Sequence, residues 1–196
     1  VLNVGDDFGI PEAPNLVNEG SGTNFGVDLT IEKFFSKGYY MLMTGSLFES
    51  KYKASDHVER NTSFNSNYTF NLLAGKEWAF GKSKQNAFTF DFKMTTAGGR
   101  YYTPIDLEAS RAAGFAVRDE SKAYSERYDP YYRLDIKFGY RVNSQKRKMS
   151  QTFYLDFRNI TARENIFSIR YNESTEELFE VYQIGFFPDL KYQIQF

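Results

Sequence analysis

Few side chains in this sequence are placed for bond-making chemistry. His57 is the one histidine and cysteine is absent. An isolated imidazole in the polar stretch Ala54 to Ser63 lacks the further nitrogen or sulfur ligands of a zinc or haem site, and reads as a solvated loop residue. No serine lies in a nucleophile-elbow context, one histidine offers little for a triad, and no glycine-rich phosphate loop appears. No catalytic, cofactor-binding or metal-binding residue is assigned, and the chain is read as a non-enzyme without a cofactor. Asp106, Glu108, Asp119, Glu120 and Glu126 gather in one stretch, but they mix with Arg111, Arg118 and Lys122 and match no calcium loop, so they read as a solvated face. Tyr101, Tyr102, Tyr124, Tyr128, Tyr131 and Tyr132 flank the same stretch. They could form a platform for sugars or aromatic chelates, and an interfacial aromatic belt accounts for them equally well. Arg133, Asp135, Lys137, Asp156 and Arg158 could contact a ligand, although cross-strand ion pairing is the more economical reading.

Composition narrows the classes that could hold these residues. Lys plus Arg at 24 against Asp plus Glu at 25 gives a net charge of -1, which argues against a nucleic-acid partner. Aromatic residues make up 18%, with 20 Phe and 15 Tyr. No apolar run approaches the roughly 18 residues of a membrane helix. A membrane protein of this composition would have to be a β-barrel, whose polar lumen face makes the sequence look soluble. The lack of cysteine is compatible with the cell envelope. Val1 is no start methionine and no signal segment follows, so a mature, processed or fragmentary chain is expected.

Alternation at a period of two is the dominant pattern. Residues 1–21 read as a loop. Phe25, Val27, Leu29 and Ile31 then share one face of a first strand. A second run, Tyr39 to Lys53, is apolar on both faces and its outward parity stays open. The third sets Tyr68, Phe70, Leu72, Ala74, Trp78 and Phe80 on one face, with Lys76 interrupting it at a membrane boundary or a bulge. Phe88, Phe90, Phe92 and Met94 mark the fourth, and Tyr132, Leu134, Ile136, Phe138, Tyr140 and Val142 the fifth. Phe153, Leu155 and Phe157 mark the sixth. The seventh, Phe186 to Phe196, sets Leu190, Tyr192, Ile194 and Phe196 against Lys191, Gln193 and Gln195. A helical tendency shows around Leu107 to Ala113, and a small hairpin is centred on Asn172 to Thr175.

Connections after the first strand run short, long, short, long, short, long. The long ones cover 54–63, 104–130 and 163–185. Outer-membrane barrels have this asymmetry, with short periplasmic turns and long extracellular loops. The expected fold is therefore all-β: about seven antiparallel up-and-down strands, residues 22–196, from the C-terminal part of a larger transmembrane barrel, with residues 1–21 left from an extracellular loop. Trp78, Phe80 and Tyr140 fall near the periplasmic boundary, as an aromatic girdle would. A four-residue loop, Gln145 to Lys148, sets Asp135 opposite Arg158 and Lys137 opposite Asp156 as lumen-facing charge pairs. A slip of two residues would oppose like charges.

Several segments resemble the closing strands of TonB-dependent outer-membrane receptors. They are Gly98 to Arg111, Tyr132-Arg133-Leu134-Asp135, Leu155-Asp156-Phe157-Arg158-Asn159-Ile160-Thr161 and Gly185-Phe186-Phe187-Pro188, with the final Phe196. The resemblance implies a 22-stranded barrel in the outer membrane of a Gram-negative bacterium, closed by a plug absent from this sequence. It implies energy supplied by the TonB complex and import of a siderophore, haem, cobalamin or glycan. It also implies that Tyr192, Ile194 and Phe196 are read by the barrel-assembly machinery. Two other classes stand beside it: an outer-membrane barrel enzyme whose catalytic groups lie elsewhere, and a soluble β-sandwich or lipocalin-like binder.

Overall fold

The computed structural model describes residues 19–144 and 148–196. The stretch expected as a loop, 1–21, lies outside the described residues except for its last three, and Ser21 already begins a strand. The elements are β1 (Ser21–Ser36), β2 (Tyr39–Lys53), β3 (Glu59–Asn61), β4 (Tyr68–Phe80), β5 (Asn86–Ala97), β6 (Tyr101–Tyr102), α1 (Leu107–Ala113), β7 (Glu126–Arg127), β8 (Tyr131–Ser144), β9 (Met149–Arg158), β10 (Ile166–Asn172), β11 (Glu177–Tyr182) and β12 (Phe187–Gln195). The main sheet runs β1-β2-β4-β5-β8-β9-β12, every neighbour antiparallel, with β3 as a stub on β2. This is an all-β, up-and-down sheet. Among the described residues it does not close, since β1 and β12 each have one partner.

Turn chemistry explains the hairpin ends. Lys37 (φ 53°) and Gly38 (φ 79°) both take positive φ between the paired Ser36 and Tyr39, as a two-residue primed turn requires. β1 runs to Ser36 and so includes Phe34 and Phe35, with an irregularity between Lys33 and Ser36. The β8–β9 ladder closes on Ser144 opposite Met149 and sets Lys137 opposite Asp156, the register that a four-residue loop gives. Gln145 to Arg147 lie outside the described residues.

The ladders settle which side chains share a face. Val27 pairs with Leu47, Met43 with Leu72, Leu72 with Met94, Met94 with Leu134, Phe138 with Leu155 and Leu155 with Leu190. One face is therefore apolar across all seven long strands, and the odd-numbered residues of β2 belong to it. That face is uncovered: Val27 is 73%, Leu47 69% and Leu190 80% exposed. Rings meet along it, with Phe80 stacked on Tyr140 at 5.6 Å and Trp78 5.8 Å from Phe88. The apolar ladder passes through Lys76 without a shift, pairing it with Tyr39 and Phe90, so no bulge lies there.

The buried positions are elsewhere. Among the described residues the buried apolar side chains are Ala87, Ala123, Tyr128 and Tyr171, whereas the fully buried large ones are Asn65, Asn159, Thr103 and Ser110. A soluble domain of this size buries a contiguous apolar cluster. Here burial is mostly polar and concentrated in the connections opposite the short turns. In those connections lie the β10–β11 hairpin, α1 and the β6–β7 pair. α1 is capped by Asp106, whose carboxylate accepts from Ala109 N at 3.0 Å, and ends at Gly114 in the left-handed region.

Candidate functional site

The face opposite the apolar one carries the chemistry. Alternation brings Tyr40, Gly75, Asp91, Lys137, Asp156 and Asp189 into one row across six strands. Gly75 leaves room for the Tyr40 ring, because a Cβ there would lie 2.2 Å from Tyr40 Cε1. Tyr40 thus reaches across and donates its hydroxyl to Asp91 Oδ1 at 2.7 Å. Lys137 Nζ lies 3.2 Å from Asp91 Oδ2, and Arg158 lies 3.4 Å from Asp156 and 3.5 Å from Asp189. One row further on, Arg133 Nε meets Asp135 at 2.7 Å. Toward the short turns Arg141 meets Glu77 at 2.9 Å, and toward the loops Asn71 links Thr44 and Thr95. Tyr40, Asp91, Lys93, Arg133, Asp135 and Arg158 line an open hollow of about 400 Å³ on this face.

These contacts correct the expected charge pairs. Lys137 stands opposite Asp156 in the ladder but pairs with Asp91, and Asp135 pairs with Arg133 instead of Arg158. The cause is the β9–β12 register, which sets Asp156 directly against Asp189. Two carboxylates in that position repel. Arg158 sits between them and offsets both, which frees Lys137 for Asp91. Asp135 also accepts from Asn159 N at 2.8 Å, so two of the recognised segments, Tyr132–Asp135 and Leu155–Thr161, interlock here.

Buried asparagines hold the loops, and sequence reasoning assigned them no role. Asn159 takes φ 49°, a conformation that asparagine tolerates, and its Nδ2 donates to Arg163 O and Ile184 O. Asn165 donates to Tyr132 O at 2.8 Å and accepts from Tyr132 N at 3.0 Å. Asn65 accepts from Ser50 N at 3.0 Å and donates to Asn61. For Asn159 the signal available in sequence was an Asn just past the end of a strand pattern; Asn65 and Asn165 carry no such signal.

The loop tyrosines divide between packing and surface. Tyr128 is 6% exposed and stacks on Tyr102 at 4.2 Å, with Arg100 5.8 Å from its ring. Tyr101 faces Arg127 at 5.1 Å, and Arg127 also donates to Gly99 O and Ser66 O. Tyr124 meets Tyr52 edge-on at 6.0 Å. These contacts use Tyr128 to hold the loops together and leave Tyr101, Tyr102 and Tyr124 partly exposed. A hollow of about 300 Å³ opens beside them, lined by Phe64, Gly99, Arg100, Tyr128, Tyr131 and Asn165.

Two more acids of the same loops, besides the Asp106 cap, are engaged locally. Glu108 pairs with Arg111 at 3.1 Å, and Asp119 caps a short 3-10 turn and meets Lys122 at 3.0 Å. The Ser121 and Lys122 donors hold the Asp119 carboxyl below the usual range, and Asp119 in turn raises Lys122. His57 is exposed, in the left-handed region (φ 59°). No group of three metal-ligating side chains occurs among the described residues. At the C-terminal end, Tyr192 stacks on Phe153 at 4.6 Å and donates to Gln151 at 2.7 Å, Ile194 pairs with Gln151, and Phe196 is 96% exposed. Comparison with known proteins finds no family model, curated protein or solved structure that matches this chain.

Proposed function

We propose that this chain is part of the wall of a transmembrane β-barrel in the outer membrane of a Gram-negative bacterium, and that the barrel is a TonB-dependent receptor importing a scarce ligand such as a siderophore, haem, cobalamin or glycan. The membrane reading rests on one observation. Seven antiparallel strands of 9 to 16 residues present an uncovered face that is apolar but for Lys33 and Lys76 beside the short turns and, on the other side, a polar face crossed by ion pairs. In water that apolar face would drive association. In lipid it is the expected exterior of a barrel, and 9 to 11 residues suffice for a tilted strand to span the bilayer. A soluble sandwich needs a second layer over this face, and none occurs among the described residues.

The receptor reading is supported by the closing-strand motifs and by the built loops opposite the short turns. The polar rows then line the lumen, the loop hollow and its tyrosines face incoming ligand, and Tyr192, Ile194 and Phe196 serve assembly. TonB acts through a plug domain in this reading. The test is detergent extraction of the natural protein from its native membrane, followed by intact mass and N-terminal sequence. A species several times larger than this chain, with a plug sequence upstream, supports the proposal. A species of this chain's own mass, soluble without detergent, overturns it.

A further inference from the structure

Between Glu49 and the short turns, the apolar face carries two charged side chains among the described residues, Lys33 and Lys76, and both are cations beside the turns. Their situations differ. Lys33 Nζ is committed, donating to Ser36 Oγ at 2.8 Å and to Ser36 O and Tyr39 O at 3.2 Å while standing 3.7 Å over the Tyr39 ring. The Lys76 side chain is exposed, and its ammonium makes no hydrogen bond or ion pair among the described residues; it stands 5.3 Å from the centre of the Trp78 ring. An ammonium carries three donors, and on a lipid-facing surface the acceptors within its reach are water and lipid phosphate. Beside it runs an open groove of about 560 Å³ lined by Lys33, Tyr39, Met41, Ala74, Lys76 and Phe90. Its floor is apolar and its turn-side edge is cationic and aromatic.

Resting on the membrane reading above, we propose that this groove binds one anionic phospholipid of the leaflet facing the short turns. Lys76 holds the phosphate, the charge of Lys33 adds to the field behind it, and an acyl chain lies over Met41, Ala74 and Phe90. A zwitterionic headgroup offers the same phosphate with its charge offset, so the site discriminates by net charge.

Trp78 is the sole tryptophan and touches Lys76, so its fluorescence reports on this groove. The experiment places the chain in vesicles of equal phosphatidylglycerol and phosphatidylcholine, with one or the other brominated on its acyl chains to quench on contact. Brominated phosphatidylglycerol is expected to quench Trp78 more strongly, with a local enrichment of about fivefold, the factor that one basic residue near an anionic surface provides. Lys76→Gln brings the enrichment to about one, Lys76→Arg retains it, and Lys93→Gln on the opposite face leaves it unchanged. Equal quenching by both lipids, or a preference that survives Lys76→Gln, overturns the site while leaving the membrane reading intact. Quenching by neither lipid overturns the membrane reading itself, and the site with it.

Discussion

Asn165 stands in for a strand. Its amide accepts from Tyr132 N and donates to Tyr132 O, filling two backbone groups at the start of β8. Asn165→Ala leaves both without that partner in a site where Asn165 is buried, at a cost of roughly 1–3 kcal/mol. Faster hydrogen exchange at Tyr132 together with a lower unfolding midpoint is the expected outcome, and unchanged protection at Tyr132 would show that the amide is dispensable. A second side chain acts through charge. Asp56 accepts from Arg60 through both oxygens, at 2.7 and 3.0 Å, and from Val58 N at 3.1 Å. Those donors lower its carboxyl to about 2. Because the folded value lies below the unfolded one, the ionised form favours the folded loop. Its contribution is complete above the ordinary carboxylate range near 4 and is lost as pH falls through about 2. Carboxyl NMR titration should therefore place Asp56 near 2, and Arg60→Ala should return it toward 4.

At the scale of elements, the polar face depends on one missing Cβ. Gly75 lets Tyr40 lie across β4 to reach Asp91, and an alanine there would place Cβ 2.2 Å from the ring and 2.4 Å from Asp91 Oδ1. Gly75→Ala is expected to displace Tyr40 and destabilise the sheet by about 1–3 kcal/mol. Tyr40→Ala removes the ring and leaves only the Asp91 carboxylate in the way, so the double variant should lose less than the sum of the singles; additive losses would refute the contact with Tyr40. Gly75 also shows where the sequence was legible and where it was not. Strands β4, β5, β8 and β9 read plainly because each buries nothing on one face and alternates on both. β2 did not, because Tyr40, Leu42 and Phe48 give its polar side an apolar look, and only pairing with β1 and β4 fixed the parity. The helix at Leu107 to Ala113 was visible through its composition. The short pairs β3, β6 and β7 were not, since two or three residues carry no period. The partner of Lys137 was hidden for a different reason: it depends on Asp189, a residue 52 positions away that enters only through the β9–β12 register.

Among the described residues the long strands form one sheet with an apolar and a polar face, and in the barrel proposed above the first meets lipid and the second water. Among the same residues β1 and β12 each have a free edge; in that barrel, further strands would pair the backbone donors and acceptors there. The chain lacks cysteine, so single cysteines can be introduced one at a time without background. The most direct measurement is a nitroxide scan along β5, from Ala87 to Thr96, with the chain in lipid vesicles, reading accessibility to oxygen and to a water-soluble nickel complex. The expected result is a strict period of two: oxygen favoured at 88, 90, 92, 94 and 96, and the nickel complex favoured at 87, 89, 91, 93 and 95. Equal access of the nickel complex to both sets would place both faces in water, and the barrel-wall account would then be wrong.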